Sequence, residues 1–492
     1  MKHPETGKDR AYRQITEALR RRRGGASPAD ITAATALPLS TVQELLPRAA
    51  DEYNGRLQVT ESGEILYSFP RGFTSRYRGP GAVLKRGLEK AAAFTAAALS
   101  LFFKLWIMVM LVGYFVLFMI IALASFFIAA AARTSNSNDR RRTHGGGFYF
   151  GSVFDLIIRI WFYSELTRGR SGAYGRYDRS GGGPRPKQAP LYKRIFAFVF
   201  GEEDPNRDWA PREKKAVIAH IQANSGVIAL PEFMAFTGLS PEKAAGEMLA
   251  FCCEFGGSPE AGPDGTVVYR FDELLKRKDA ENAARGQPEI SAPVKPLRVF
   301  SANSKSMNTW FALINGVNLV FGGYFLYNAV VSGPVLTQTS SYVYALVVTV
   351  LLNHVTANPW PVIAAGLGAV PLVFSALFWL IPALRFAVMK RENREIQTGN
   401  LRRLGFLHIW THPTGVRGID SSAAECRPPR MDAACGRIIR DMGAYSMPDV
   451  EIDDRGETVY NFNALKAEKE ALQRYRSGIK TGSLGKTVFD TD

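Results

Sequence analysis

Cysteine is scarce, four residues in 492, and none forms a Cys-x-x-Cys pair. That excludes a disulfide-stapled secreted domain and a zinc ribbon. The many glycines lack the spacing and strand–helix context of a phosphate loop. No nucleophile, acid–base pair or catalytic triad stands out, so no enzymatic activity is expected. Acidic residues are outnumbered, 45 Asp plus Glu against 61 Lys plus Arg, for a formal net charge of +16. What the chain does have is apolar residues, 46% of the total, gathered in long runs between basic polar segments. Such a balance points to nucleic acid, an anionic lipid surface or the cytoplasmic flanks of membrane spans. It excludes a plain soluble enzyme. At ~100–200 residues per domain the length corresponds to three or four domains.

Residues 91–132 contain one charge, Lys104, in 42 positions. A spanning helix needs ~20 apolar residues, and a basic, domain-sized segment precedes this run, unlike a cleavable signal peptide. A second membrane region, residues 308–390, divides into Trp310–Val331, a middle stretch at Tyr342–Leu352 and Trp360–Val388. The first and last pieces can span, whereas the middle one has the length of a re-entrant or interfacial helix. Pro371 and Pro382 predict kinks in the last piece. Basic residues crowd both flanks of this region, Lys276 to Lys305 and Arg385 to Arg403, while Ser332–Pro359 holds no charged residue. The positive-inside rule puts the flanks in the cytoplasm and that loop outside. Residues 91–132 are basic on both sides as well, which asks for an even number of crossings. A hairpin or re-entrant loop turning near Gly113 fits the charges. One long tilted helix, ~63 Å at ~1.5 Å per residue, fits the lack of turn residues; the charges favour the hairpin.

A seven-residue pattern occurs three times: Gly63-Glu-Ile-Leu-Tyr67-Ser-Phe69, Gly265-Thr-Val-Val-Tyr269-Arg-Phe271 and Gly456-Glu-Thr-Val-Tyr460-Asn-Phe462. The first two copies align without a gap at an offset of 202 over their preceding segments as well, with Thr35 and Leu37 on Thr237 and Leu239, and Tyr53 and Gly55 on Phe255 and Gly257. Val42, Leu45, Leu46 and Ala49 form one apolar helical stripe, with Ser40 or Thr41 placed to cap it. Residues 56–69 read as two strands around a Glu61-Ser62-Gly63 turn. Ahead lies an amphipathic helix with Tyr12, Ile15 and Leu19 on one face. Helix, short helix, third helix and hairpin is the order of a winged helix. In copy two the leading helix is expected at Glu213–Ala223 and the third at Pro241–Glu254; in the more diverged copy three they fall around Arg402–Thr411 and Arg430–Met442. The paired aromatics Tyr67 and Phe69, Tyr269 and Phe271, Tyr460 and Phe462 are expected to pack the wing onto the helices.

A duplex reader presents basic and amide side chains from its third helix. Copy one carries Glu44, Asp51 and Glu52 there against Arg48, and copy two carries Glu242, Glu247 and Glu254 against Lys243. That sign opposes a phosphate field. Copy three, with Arg430, Arg437 and Arg440, is better suited to phosphate or lipid contact. DNA is therefore unlikely for modules 1 and 2 and open for module 3, and an unidentified protein is the leading partner.

Residues 133–207 read as a Gly/Arg-rich linker against anionic headgroups, with interfacial helices at Phe148–Leu166 and Leu191–Gly201. His408 and His412 stand four apart with no further ligand nearby, Cys252 and Cys253 are adjacent, and Cys426 and Cys435 read as small core residues. His354, beside the outer loop, reads as structural. No metal or cofactor is expected.

The segment Phe196-Ala-Phe-Val-Phe-Gly201-Glu-Glu-Asp-Pro-Asn206 and the wing pattern Gly63–Phe69, in this order of modules, apolar regions and linker, resemble the uncharacterised integral membrane proteins of plant plastids and cyanobacteria. Some of these carry the label "iron–sulfur cluster biosynthesis". The resemblance covers most of the chain and implies architecture without catalytic residues. An iron–sulfur centre needs a thiolate set that four scattered cysteines do not supply. Without plastid transit composition ahead of module 1, the chain reads as bacterial-type, placed in the cytoplasmic (inner) membrane.

The expected fold class is thus α+β soluble modules, three winged-helix-like repeats, interleaved with α-helical transmembrane segments. Modules occupy residues 1–75, 208–275 and 395–465, membrane regions 91–132 and 308–390, linkers 133–207 and 276–305, and a helical then disordered tail 466–492. The function expected is that of a multi-pass membrane scaffold or adaptor with its modules in the cytoplasm. A membrane-tethered nucleic-acid-binding regulator and a transport-related protein are the alternatives.

Overall fold

The computed structural model describes residues 7–22, 25–69, 73, 76, 80–134, 189–262, 265–278, 291–333, 341–417, 431–479 and 487–490. The chain is mostly helical with small antiparallel sheets. In chain order come α1 (Gly7–Arg21), α2 (Pro28–Thr35), α3 (Leu39–Glu52), β1 (Arg56–Thr60) and β2 (Ile65–Ser68), then α4 (Pro80–Met108), a π-helical stretch (Val109–Gly113) and α5 (Tyr114–Thr134). They are followed by α6 (Leu191–Phe200), α7 (Trp209–Ala223), β3 (Val227–Ile228), α8 (Leu230–Thr237), α9 (Pro241–Phe255), β4 (Ser258–Ala261) and β5 (Val267–Arg270). Next are α10 (Lys305–Ser332), α11 (Tyr342–His354), a second π-helical stretch (Val362–Ala369) and α12 (Val370–Thr411). The chain closes with α13 (Met431–Tyr445), β6 (Asp449–Ile452), β7 (Thr458–Asn461), α14 (Asn463–Gly478) and β8 (Thr487–Asp490). Two compact units result: Met1–Glu89, Asp204–Arg298 and Lys390–Asp492 form one, Lys90–Glu203 and Val299–Met389 the other.

In the first unit, helices followed by a hairpin recur three times. α1 buries Ala11, Ile15 and Leu19, one stripe at a spacing of four, against Val42, Leu45, Leu46 and Ala49 of α3. The expected cap by Ser40 or Thr41 does not form: α3 starts at Leu39 with Pro38 as its N-cap, whose fixed φ already suits a helix entry. The wing turns place Gly63, Gly265 and Gly456 at φ +78°, +76° and +77°, the left-handed region where a Cβ is strained. β1 and β2 pair antiparallel from Arg56↔Ser68 to Val59↔Ile65, β4 and β5 from Ser258↔Arg270 to Ala261↔Val267, and β6 and β7 from Asp449↔Asn461 to Ile452↔Thr458. Each aromatic strand also gains an upstream partner: Ala26 on Tyr67, β3 on β5, and Val416 on Tyr460. Modules 2 and 3 share one apolar core, containing Phe233, Phe255, Phe271, Phe406, Trp410 and Phe462.

Two expectations change here. The leading helix of module 3 is not separate but forms the last turns of the 42-residue α12, because no Pro or Gly interrupts Val388–Leu404 strongly enough to end it. The tail does not finish without structure either. Thr487–Asp490 pairs antiparallel with β1, an open edge that an extended, β-branched segment satisfies.

Among the described residues three helices are long and apolar enough to cross a membrane: Phe94–Ala131, Lys305–Ser332 and Val362–Thr411, the last continuing past Met389 into residues of the first unit. The hairpin near Gly113 is corrected: α4 continues through the π-helical stretch into α5 with no reversal, since five apolar residues at Val109–Gly113 offer no turn chemistry. At 13 residues, or ~20 Å, α11 is shorter than the ~30 Å of a hydrocarbon core. The chain passes Pro371 and Pro382 without leaving the helix; the π-helical Val362–Ala369 lies just before the first. Small residues let backbones meet, for a Cβ on Gly368 would lie 2.9 Å from Leu326 Cα and one on Gly322 3.1 Å from the Leu372 nitrogen. The π-stretch carbonyls find side-chain donors: Asn318 Nδ2 donates to Leu111 O at 2.8 Å and the Tyr114 hydroxyl to Gly366 O at 2.8 Å. The interfacial element expected at Phe148–Leu166 lies outside the described residues.

Candidate functional site

The recurring aromatics are held by backbone pairing and by glycines. Tyr67, Tyr269, Phe271 and Phe462 are buried, and Phe69 and Tyr460 half-buried. Phe69 lies on Gly55 and Phe271 on Gly257, where a Cβ would overlap each ring. Phe271 also meets Phe251 edge-on at 5.7 Å.

Of the third helices, α9 packs on both α3 and α13, while Glu242, Lys243, Glu247 and Leu249 on its other side stay exposed. Arg437 and Arg440 are exposed on α13, and Arg430 lies outside the described residues. Between Arg437, Arg402 and Asp441 runs a cleft of about 230 Å³, with Arg402 paired to Asp441 at 2.8 Å.

A more consequential arrangement has no counterpart in the sequence reading. Ser27 and Asp30 form a capping box at the start of α2, and Glu232 accepts the Ala229 N–H at the same place in α8, 202 residues on. Both carboxylates are buried, at 1% exposure each, and both receive the segment that follows the next module's hairpin. Asp30 pairs with Arg22 at 3.0 Å and accepts the Lys278 backbone N–H at 3.3 Å. Glu232 is gripped by Arg476 of α14 through two bonds of 2.9 and 2.6 Å, with His220 Nε2 3.4 Å away. Arg476 also donates to Val227 O at 2.8 Å. Burial alone would raise the Glu232 carboxyl; the Arg476 guanidinium, the hydrogen bond and charge of His220, and the Arg476 bonds bring it down to about 2. Module 2 is thereby tied to module 1, and module 3 to module 2. The offset of 202 linking Ser27-x-x-Asp30 to Ala229-x-x-Glu232 was the available signal; the partner Arg476 had none.

A second polar cluster surrounds Trp209, whose ring has the Lys295 Nζ at 5.2 Å and the Arg403 guanidinium at 5.1 Å from its centre. Arg403 donates to Phe236 O and to Glu213 at 2.9 and 2.6 Å. Burial, then the neighbouring Arg403 charge, lowers the Lys295 ammonium pKa, against Glu213. A cleft of about 310 Å³ between Lys295, Arg298 and Arg403 on one side and Asp204, Glu392 and Glu395 on the other balances its charges internally.

Among the described residues no three His, Cys, Asp or Glu side chains gather as a metal site. The His408 and His412 rings lie 5.4 Å apart at a tilt of 36°, and His412 Nδ1 lies 3.0 Å from the Thr411 hydroxyl. Burial, then Cys253, pushes the Cys252 thiol up to about 11, away from the thiolate a metal would need. Cys435 is half-buried against the shared core, and Cys426 lies outside the described residues.

The motif Phe196–Asn206 has a structural task on either side of its glycine. Arg385 of α12 donates to Phe198 O at 2.9 Å and Phe300 O at 2.8 Å, closing the end of α6. Gly201, at φ +87°, leaves room for that guanidinium, onto which a Cβ would fall. Asn206 donates to Pro296 O at 2.9 Å.

These features define a mostly helical protein with small sheets and, among the described residues, three helices of membrane-crossing length and composition. No family model matches the chain, and no solved structure matches it. It is similar to an uncharacterised chloroplastic protein of Arabidopsis thaliana, 23% identical over 430 residues, covering 84% of this chain and 74% of the plant protein. That relative is chloroplastic, which does not fit the bacterial inner membrane expected from the sequence.

Proposed function

We propose that the chain is a multi-pass membrane scaffold whose three modules, winged-helix-like in element order, form one assembly on the basic-flanked side of the bilayer, the cytoplasm in a bacterial cell. The observation that carries this reading is the packing of α9 against both α3 and α13. The face of α9 that stays open carries Glu242 and Glu247 against Lys243, the wrong sign for a duplex. The ties from Lys278 to Asp30 and from Arg476 to Glu232 support an assembly that acts as a unit. β6 leaves Val450 and Ile452 exposed on one side of the module 3 hairpin, with Met447 beside them, an apolar patch for a protein partner. The plastid and cyanobacterial resemblance agrees with this architecture and brings no catalytic residue.

The test is crosslinking in intact membranes followed by affinity purification of the full chain. V450T combined with I452T should lose the crosslinked partner while the chain stays in the membrane fraction. Retention of the same partner by that variant would remove the patch from the reading. The second reading, nucleic-acid binding by module 3, is favoured by the exposed Arg437 and Arg440. Titrating labelled duplex with the detergent-purified chain should give weak, strongly salt-dependent binding without sequence preference. Tight, sequence-selective binding would replace the scaffold with a regulator.

A further inference from the structure

Lys104 is the single charge in the apolar helix Phe94–Ala131. It is half-buried, its ammonium stands 4.7 Å from the centre of the Phe196 ring of α6, and it has no hydrogen-bond or ion-pair partner among the described residues. An ammonium on a lipid-exposed helix is costly unless it reaches the interface or an opposite charge. Lys104 lies ten residues into that helix, ~15 Å from its start at ~1.5 Å per residue. No carboxylate among the described residues answers it.

Next to Lys104 opens a groove of about 550 Å³ between α4, α6 and α12. Phe103, Trp106, Phe200, Val373, Phe374 and Phe378 line it, and its lining is apolar throughout. The groove belongs wholly to the unit formed by Lys90–Glu203 and Val299–Met389. Phe103 and Phe200 stand 5.9 Å apart, Phe200 lies 4.8 Å from the Phe196 ring that Lys104 covers, and Trp106 meets Phe374 edge-on at 6.3 Å. Lys193 is exposed one helical turn before Phe196, on the same face of α6. An apolar channel with an unanswered cation at one end is complementary to a molecule with an acyl chain and an anionic head. A soluble anion would have no use for the channel, and a neutral lipid none for the lysine.

We propose that this groove holds one acyl chain of an anionic phospholipid whose phosphate is bound by Lys104, a site that rests on insertion of these helices in a bilayer. The lipid then supplies the countercharge that no described residue gives Lys104 and fills the space between α4 and α12. Lys104 and the groove act together, so removing either one weakens the site in a different way. Loss of the charge abolishes headgroup selectivity, whereas blocking the groove lowers retention of any phospholipid.

The full chain, purified in detergent and offered equal amounts of phosphatidylglycerol and phosphatidylcholine, can be weighed with its bound lipid by native mass spectrometry. Wild type should retain phosphatidylglycerol over phosphatidylcholine by about fivefold or more, the preference one lysine at a membrane surface provides. K104Q should bind both lipids equally, K104R should keep the preference, and V373W should lower retention of both. Equal retention by wild type, or an unchanged preference in K104Q, overturns the site. Should K104Q fold poorly, wild type against V373W decides, because an unaltered lipid load in V373W also overturns it. Alkaline carbonate extraction of membranes separates this outcome from failure of the membrane reading. A chain released by carbonate is not inserted, whereas a chain that stays inserted but lacks lipid preference fails the site alone.

Discussion

Glu232 concentrates three kinds of interaction on one buried carboxylate: a helix cap, an imidazole and a guanidinium from 244 residues downstream. Its pKa, about 2 against an ordinary 4.5, lies below that of the unfolded chain. The stability it lends is therefore present above about pH 4.5 and disappears as pH falls through about 2. Removing one partner of such a buried pair typically costs about 3–5 kcal/mol. Glu232→Gln should accordingly lower the unfolding temperature of the detergent-purified chain and strip amide-exchange protection from α14 first. Protection in α14 equal to wild type would mean that apolar contacts, not this pair, hold the helix. Glycine gives a contrasting case. Gly257→Ala forces the Phe271 ring aside, an overpacking worth about 1–3 kcal/mol, while at Gly246, with open space around its Cβ position, alanine should raise stability by about 0.4–1 kcal/mol. Thermal unfolding of the two variants checks the difference in sign. The tie between Gly257 and Phe271 was within reach of the sequence, because both positions recur with Gly55 and Phe69 at one offset. Arg476 was not, since nothing local in Arg474–Ser477 announces a distant carboxylate.

The helices and strands divide by how much local chemistry marks them. α1, α3 and α9 carry apolar stripes, and the wing turns carry a glycine where φ must be positive, so periodicity and turn chemistry expose them. β3 is two residues long, too short for any alternation to register, and it exists because β5 offers an edge. The π-helical stretches are equally silent. A sequence of five apolar residues at Val109–Gly113 says nothing about a shift from i−4 to i−5 bonding, and the result depends on donors brought by another helix. Asn318→Leu, which leaves the Leu111 carbonyl without its donor, should cost about 1–3 kcal/mol, measurable as a lower unfolding temperature in detergent. An unchanged temperature would show that the carbonyl finds another donor. Charge counting also pointed to a hairpin at Gly113, because flanking Arg and Lys report which side of a membrane they prefer and say nothing about where a helix bends.

Lys276 pairs with Glu64 at 2.8 Å and Lys278 reaches Asp30, contacts that need modules 1 and 2 on one side of a bilayer, so an unreversed Phe94–Ala131 that crosses it must be matched by a second crossing before module 2. Reporter fusions after Phe69, Phe271 and Phe462 should therefore give the same, basic-flank side, and a fusion within Ser332–Pro359 the opposite one. Opposite readings after Phe69 and Phe271 would be incompatible with those contacts. The order of events at the ribosome follows from the grip of Arg476 on Glu232. α8 emerges early, yet its carboxylate waits for a guanidinium synthesised only after both apolar regions have left the exit tunnel. Until then the buried acid of module 2 has only the Ala229 N–H and His220 to meet it, and module 1 has an open strand edge that Thr487–Asp490 later covers. Residues made late thus close residues folded early, and a chain cut short after Phe462 would have the three hairpins in hand and still expose its unfinished state to proteases.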